Sequence, residues 1–347
     1  MRAMALTGLR QFDFIEKEKS AISNETDALI RITHVGICGS DIHYFLEGGI
    51  GGQIVDYPFV IGHECSGIVE EVGRKVTSVK PGDPVALEPA VSCYDCDQCN
   101  AGRPHTCRNL VFMGAPGQKS GALADYVILP EINCYPVPRE ISLAGACLVE
   151  PLSIGCYATQ LAGKIKDKTL GILGTGPIGL GTLFSVLDKN PTNIYSTDKL
   201  DFRNDIARET GAVYSGNPET VDIVKEIRTE VPEGLDVVFE CCGQQEALDQ
   251  GIRLLKPGGS LVIVGIPSEH RISFDVSALR RKEITIVNVR RQNHCMKPAI
   301  QLLKQYPEIE SRLHTHTFPV AETNQAFDLV ANYQDGVVKA MIALGDS

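Results

Sequence analysis

Apolar residues in the first part of the chain gather in short runs at 28–35, 65–72, 83–87 and 122–129, with glycine, proline and polar residues between them. Runs of that length bounded by turn formers predict the strands of an irregular β domain. From about residue 154 the rhythm changes. Runs at 170–174, 193–198, 212–214, 235–241, 260–266 and 284–289 read as buried strands, and stretches with helical spacing separate several of them. Strands alternating with helices imply βαβ units around a parallel sheet, and six strands match a complete doubly wound domain. Helical stretches at 297–305 and 321–333 and a terminal strand at 338–344 follow. The expected fold class is α/β. A β-rich domain at 1–153 is joined to a nucleotide-binding domain at 154–289, and a segment at 290–347 returns to complete the first.

A length of 347 residues agrees with two domains, and 43% hydrophobic with 22% charged residues is the composition of a folding globular chain. The formal net charge of −10 argues against nucleic acid as a partner, because binding a phosphate backbone needs lysine and arginine to displace counterions. No apolar run reaches the roughly eighteen residues of a membrane span, and the first residues lack the layout of a secretory signal. A cytoplasmic protein without a membrane partner is therefore expected. Twelve cysteines in such a chain are expected as metal ligands or buried thiols rather than disulfides.

The run at 170–174 leads into Gly174-Thr175-Gly176-Pro177-Ile178-Gly179 and an apolar helical stretch. In a G-x-G-x-x-G turn the first glycine permits the tight bend, the second lets a pyrophosphate approach the backbone, and the third lets helix and strand pack closely. The helix N-terminus then offers free N–H groups to the phosphates. Asp198 closes the next strand 19 residues after Gly179, where a carboxylate can accept from an adenosine ribose. Such a carboxylate repels the 2′-phosphate of NADP, so NAD is expected. Lys199 and Arg203, which can reach the same ribose or its phosphate, keep NADP open. Val264 and Gly265, at the end of the fifth strand run, join the expected cofactor contacts.

Cys93, Cys96, Cys99 and Cys107 form C-x2-C-x2-C-x7-C on a short polar loop within 90–110. Four thiolates so close make a closed tetrahedral site, and a structural zinc is expected ahead of an iron–sulfur cluster or free thiols. Three other segments carry ligand-type residues beside glycines: Cys38-Gly39-Ser40-Asp41-Ile42-His43, Gly62-His63-Glu64 and Val149-Glu150-Pro151. A thiolate, an imidazole and one or two carboxylates suit a zinc with one position open for water or substrate. Spacing alone does not join these segments.

Taken in this order ahead of the glycine turn, the segments resemble the medium-chain zinc-dependent dehydrogenase family over essentially the whole chain. Cys38-Gly39-Ser40-Asp41-Ile42-His43-Tyr44 and Val149-Glu150-Pro151-Leu152-Ser153 are most similar to its sorbitol (polyol) and threonine dehydrogenase branch, which has glutamate where typical alcohol dehydrogenases have cysteine. The resemblance implies a GroES-like catalytic domain and a Rossmann domain. It also implies a catalytic zinc on Cys38, His63, Glu64 and Glu150, with the two glutamates exchanging, besides the structural zinc. Zinc would act as Lewis acid on the hydroxyl of a secondary alcohol, Ser40 would take its proton and His43 would relay it outward.

By the same likeness Tyr44, Phe112 and Glu150 face the substrate, and Lys339 stands near the cofactor pyrophosphate. Polyol dehydrogenases carry an arginine followed by a tyrosine where this chain has Arg290 and Arg291. Paired guanidiniums can hold a carboxylate, a phosphate or several hydroxyls. The expected activity is NAD-linked oxidation of a polyol or sugar-like alcohol to a ketone. The alternatives are a threonine or 3-hydroxy-acid dehydrogenase and a non-catalytic NAD- and zinc-binding protein on the same scaffold. A zinc-free quinone reductase would have no reason to keep Cys38, His63 and the four-cysteine loop together. Relatives of this kind associate through the edge strand at 284–289, so a homodimer or homotetramer is expected.

Overall fold

A computed structural model describes residues 1–19, 21–267 and 271–345. The chain divides into two compact units, one of Met1–Glu150 with Leu303–Ser347 and one of Pro151–Leu302. The chain returns to the first unit at Leu303 rather than at 290, inside the helix Met296–Gln305.

The first unit is built on a seven-stranded sheet whose centre is Asp27–Gly36. This strand is buried along nearly its whole length, and its apolar residues Ala28, Leu29, Ile30, Ile32 and Val35 fall on both faces rather than alternating strictly. It pairs antiparallel with Glu64–Val72, Tyr126–Pro130 and the last strand, Lys339–Ala343. Lys339–Ala343 runs parallel to His314–Pro319 at the sheet edge. The hairpin Arg2–Gly8 with Gln11–Glu16 and the helix Gly39–Glu47 pack on the same core, where Phe12, Phe45 and Phe327 meet with ring centroids 4.6–5.7 Å apart.

The second unit carries a six-stranded sheet in the order Tyr214–Gly216, Asn193–Thr197, Thr169–Leu173, Leu235–Glu240, Leu255–Ile263, Thr285–Asn288. Every pairing is parallel. This is the doubly wound order 3-2-1-4-5-6 of a Rossmann domain, with its topological switch between Thr169–Leu173 and Leu235–Glu240. Among the described residues no helix is long and apolar enough to cross a membrane.

Candidate active site

Sheet register assembles the first site. Gly36 pairs with Glu64 on one side and Met341 on the other, so the end of the central strand, the start of Glu64–Val72 and the start of Lys339–Ala343 meet at one end of the sheet. A Cβ on Gly36 would lie 2.5 Å from Glu64 Oε2, so only glycine leaves that carboxylate its place. Two residues on, Cys38 is the N-cap of the helix Gly39–Glu47. Cys38, His63 and Glu64 each bring one ligand atom to within 4.8 Å of the others. Thiol, imidazole and carboxylate are the donor types of an open zinc site, and the cluster fits that ion.

Asp41, fully buried and not singled out in the sequence, orders this cluster. One of its oxygens accepts from the Cys38 N–H at 3.1 Å and the other lies 3.5 Å from His63 Nδ1. A carboxylate on one ring nitrogen fixes the imidazole and leaves Nε2 for the metal. Its signal was available, because an acid three residues after an N-cap is the partner in a capping box. Burial pulls the His63 pKa down, yet Asp41 and Cys38 beside it outweigh that and hold it well above the ordinary value. A carboxylate beside the buried imidazole favours a cation at that ring, either a proton on His63 or a metal.

Lys339 corrects an expectation. It is 3% exposed, and its ammonium donates to both oxygens of Glu64 at 2.8 and 2.6 Å and to the Ile37 carbonyl at 2.9 Å. All three N–H groups are thereby engaged on the zinc-ligand cluster rather than turned to a phosphate, because sheet register sets the start of the last strand beside Glu64. Tyr44 is likewise corrected. On the helix Gly39–Glu47 it shares the inward face with Asp41 and Phe45, so its ring is 4% exposed in the core rather than facing substrate.

Phe112 packs against His63 with ring centroids 5.2 Å apart. Ser40 and His43 are half-buried on one helix at i, i+3, and His43 Nδ1 bonds Glu47 at 3.1 Å. Glu150 is buried in the first turn of Val149–Leu161, outside the three-residue cluster but near enough to Cys65 and Cys147 to help push those thiols up.

In the four-cysteine loop the Sγ atoms of Cys96 and Cys99, Cys96 and Cys107, and Cys93 and Cys107 are 3.6, 3.9 and 3.4 Å apart. A tetrahedron with sulfur about 2.3 Å from its centre has edges of about 3.8 Å, so the loop is already folded around a zinc-sized position. Backbone N–H groups of Arg108 and Cys99 pull the Cys96 thiol down to about 6. Burial and the neighbouring sulfurs push Cys99 up to about 12, a conflict that a cation at the centre relieves.

In the second unit Gly174 takes a φ of 91° at the end of its strand, and a Cβ on Gly179 would fall 1.9 Å from the Gly174 carbonyl oxygen. Gly176 caps the helix Pro177–Leu187, whose first turn includes Ile178, so the turn leaves a cradle at a helix N-terminus that suits a pyrophosphate. Asp198 accepts from the N–H groups of Thr175 at 2.8 Å and Leu200 at 3.0 Å, which fixes its carboxylate beside the turn. The Arg203 guanidinium lies 4.0 Å from Asp198 and against Gly176. The Val264 and Gly265 N–H groups bond the Glu240 carbonyl at 2.8 and 3.0 Å. Arg290 is exposed, and Arg291 is half-buried with a left-handed φ of 53°.

The alcohol dehydrogenase GroES-like domain model matches residues 24–139, and the zinc-binding dehydrogenase model matches 177–305. The chain is 32% identical to sorbitol dehydrogenase of Bacillus subtilis over 320 residues, 92% of this chain and 90% of that one. It is 33% identical to L-idonate 5-dehydrogenase of Vitis vinifera over 312 residues, 88% and 85% of the two chains. A zinc-binding dehydrogenase from Sinorhizobium meliloti, bound to NADP, superposes with a TM-score of 0.88 at 28% identity over 99% of both chains. The chain belongs to the medium-chain zinc-dependent dehydrogenases, in their polyol dehydrogenase branch, and is an oxidoreductase of CH–OH donors that uses zinc and a nicotinamide cofactor.

Proposed function

We propose that the protein oxidises a secondary alcohol of a polyol or sugar-like substrate to a ketone with NAD. The observation that carries the reading is the buried meeting of Cys38, His63 and Glu64 around one position, in a chain similar over nine-tenths of its length to a sorbitol dehydrogenase. When bound, zinc supplies Lewis acidity toward the alcohol oxygen and the nicotinamide accepts the hydride.

Cys38, His63 and Glu64 would hold the metal, with Glu150 as the carboxylate that exchanges or reaches it through water. Asp41 orients His63, and Lys339 balances the charge of Glu64. Ser40 takes the hydroxyl proton and passes it to His43, one turn along the same helix face, and Glu47 continues that path outward. Phe112, packed at a tilt against His63, gives the substrate an apolar wall. On the nucleotide side, the fixed Asp198 carboxylate favours the unphosphorylated ribose of NAD, while Arg203 moderates that preference.

A second reading has its own support. Arg290 and Arg291 replace an arginine–tyrosine pair, and one relative is named for a sugar acid, idonate. A carboxylate-bearing substrate would draw on those guanidiniums. The exposed edge strand Thr285–Asn288, with Val276 70% exposed nearby, supports a homodimer or homotetramer. Twelve cysteines, all thiols, support a reducing, cytoplasmic setting.

The test is NADH formation by zinc-loaded protein on polyols, inositols, sugar acids, sugar phosphates and threonine, repeated with NADP and after chelation. A chelator-sensitive signal on neutral polyols that prefers NAD is expected. Activity confined to anionic substrates would replace the polyol reading with the second one, and R291A would then lose it.

A further inference from the structure

We infer that Glu240 is a positioning residue for the cofactor: its buried carboxylate fastens the floor of the second mononucleotide half of the Rossmann domain. The inference rests on nicotinamide-dinucleotide binding by this unit. Glu240 ends the strand Leu235–Glu240 and is 0% exposed. Sheet register sets it level with Leu173, which leads into the Gly174 turn, and with Ile263, which leads into Val264 and Gly265. It therefore stands between the two loops that the sequence marks for the cofactor, at the topological switch where such sheets bind ligands.

One residue ties both sides. The Glu240 backbone carbonyl accepts from Val264 and Gly265 at 2.8 and 3.0 Å. Its Oε1 accepts from the N–H groups of Cys242 at 2.9 Å and Gly243 at 2.6 Å, and from the Cys242 thiol at 3.1 Å. Above it the two loops touch backbone to backbone. A Cβ on Gly265 would fall 2.2 Å from Gly243 N and 2.8 Å from Glu240 Oε2, and one on Gly243 would fall 2.4 Å from the Ile266 carbonyl oxygen. Such contact leaves no width for a side chain, and without the carboxylate the Cys242 and Gly243 N–H groups lose their acceptor. Cys242 also packs on the other half, since a Cβ on Gly174 would lie 2.8 Å from its own.

In a doubly wound domain each βαβαβ half holds one mononucleotide. Thr169–Leu173, Asn193–Thr197 and Tyr214–Gly216, with Asp198, serve the adenosine half. Leu235–Glu240, Leu255–Ile263 and Thr285–Asn288 serve the nicotinamide half. The hydrogen bonds of the Glu240 carboxylate and carbonyl all go to the loops of the second half, and it reaches the Gly174 turn only through Cys242, so its loss should weaken the whole dinucleotide far more than the adenosine fragment.

The test is binding, read from the intrinsic fluorescence of NADH and by calorimetry with AMP, on zinc-loaded wild type, E240L, E240Q and G265A. Loss of these hydrogen bonds predicts that E240L binds NADH more weakly by roughly 10-fold or more, with AMP binding within about 2-fold of wild type. E240Q, which keeps an acceptor for Cys242 and Gly243, should hold NADH within about 3-fold. G265A pries the same two loops apart, so it should reproduce the selective loss even where E240L does not fold. NADH binding unchanged in both E240L and G265A, or NADH and AMP weakened in parallel, would overturn the role of Glu240. A wild type that binds neither nucleotide would instead overturn the cofactor reading.

Discussion

Asp41 shows how a single side chain sets the chemistry of its neighbour. Its two oxygens are divided between the Cys38 N–H and His63 Nδ1, so it holds two of the expected zinc ligands in one geometry. The amide in D41N keeps the size and one acceptor but removes the negative charge facing the imidazole. Substitutions of this kind typically cost 10–100-fold in metal affinity. D41N should accordingly release one zinc to a weak chelator while the four-cysteine zinc stays, and metal content after dialysis checks this. Retention of both zincs at wild-type affinity would remove Asp41 from the site. At this scale the ligand types were legible because Cys38, His63 and Glu64 sit in short glycine-flanked motifs. Asp41 left only its capping-box spacing as a signal, and Lys339 and Tyr44 left none, because their partners are set by sheet register and helix face.

The three strands that meet at Gly36 carry their own prediction. Lys339 and Glu64 form an ion pair whose side chains are 3% and 2% exposed, and the start of the last strand is what brings them together. Removing one partner of a buried pair strands the other charge, so K339M should lose about 3–5 kcal/mol of unfolding free energy, while E64L/K339M should recover most of it. Denaturant melts of the three proteins read this directly, and a K339M chain as stable as wild type would show that Glu64 finds another partner. Burial lowers the Lys339 pKa, but Glu64 and Cys38 outweigh it and raise the group above its ordinary value. The stabilisation is therefore complete below the unfolded-lysine pKa of about 10.4 and fades only as pH climbs through the higher folded value. Strands rich in apolar residues, such as Asp27–Gly36 and Leu235–Glu240, were readable from the sequence. His314–Pro319, with alternating exposed and half-buried polar residues, offered no such run, and its place beside Lys339–Ala343 comes from tertiary pairing.

Over the whole molecule the two metal positions differ in kind, and that difference governs how the protein answers to pH and chelation. The four-cysteine loop would close a tetrahedron with its own sulfurs, whereas Cys38, His63 and Glu64 would supply three donors and leave one position open. A mild chelator should therefore take the second zinc first, abolishing activity at a small, pH-dependent cost in melting temperature. Loss of the first should then lower the melting temperature itself, because a structural site contributes directly to folding. Without metal, His63 holds its proton more readily than an ordinary histidine, its folded pKa standing well above the usual value through Asp41 and Cys38. That contribution is complete below the unfolded-histidine pKa of about 6.5 and is lost as pH rises through the folded value, so His63 makes the metal-free protein less stable toward alkaline pH. Zinc competes with that same proton, so its affinity, and the stability it adds, rise over the same range. The gap in melting temperature between protein holding both zincs and protein stripped only of the open-site zinc should widen as pH rises above about 6.5. H63Q, which cannot take up the proton, should flatten the metal-free profile, and a gap that stays constant with pH would show that the charge in this pocket is balanced by something other than His63.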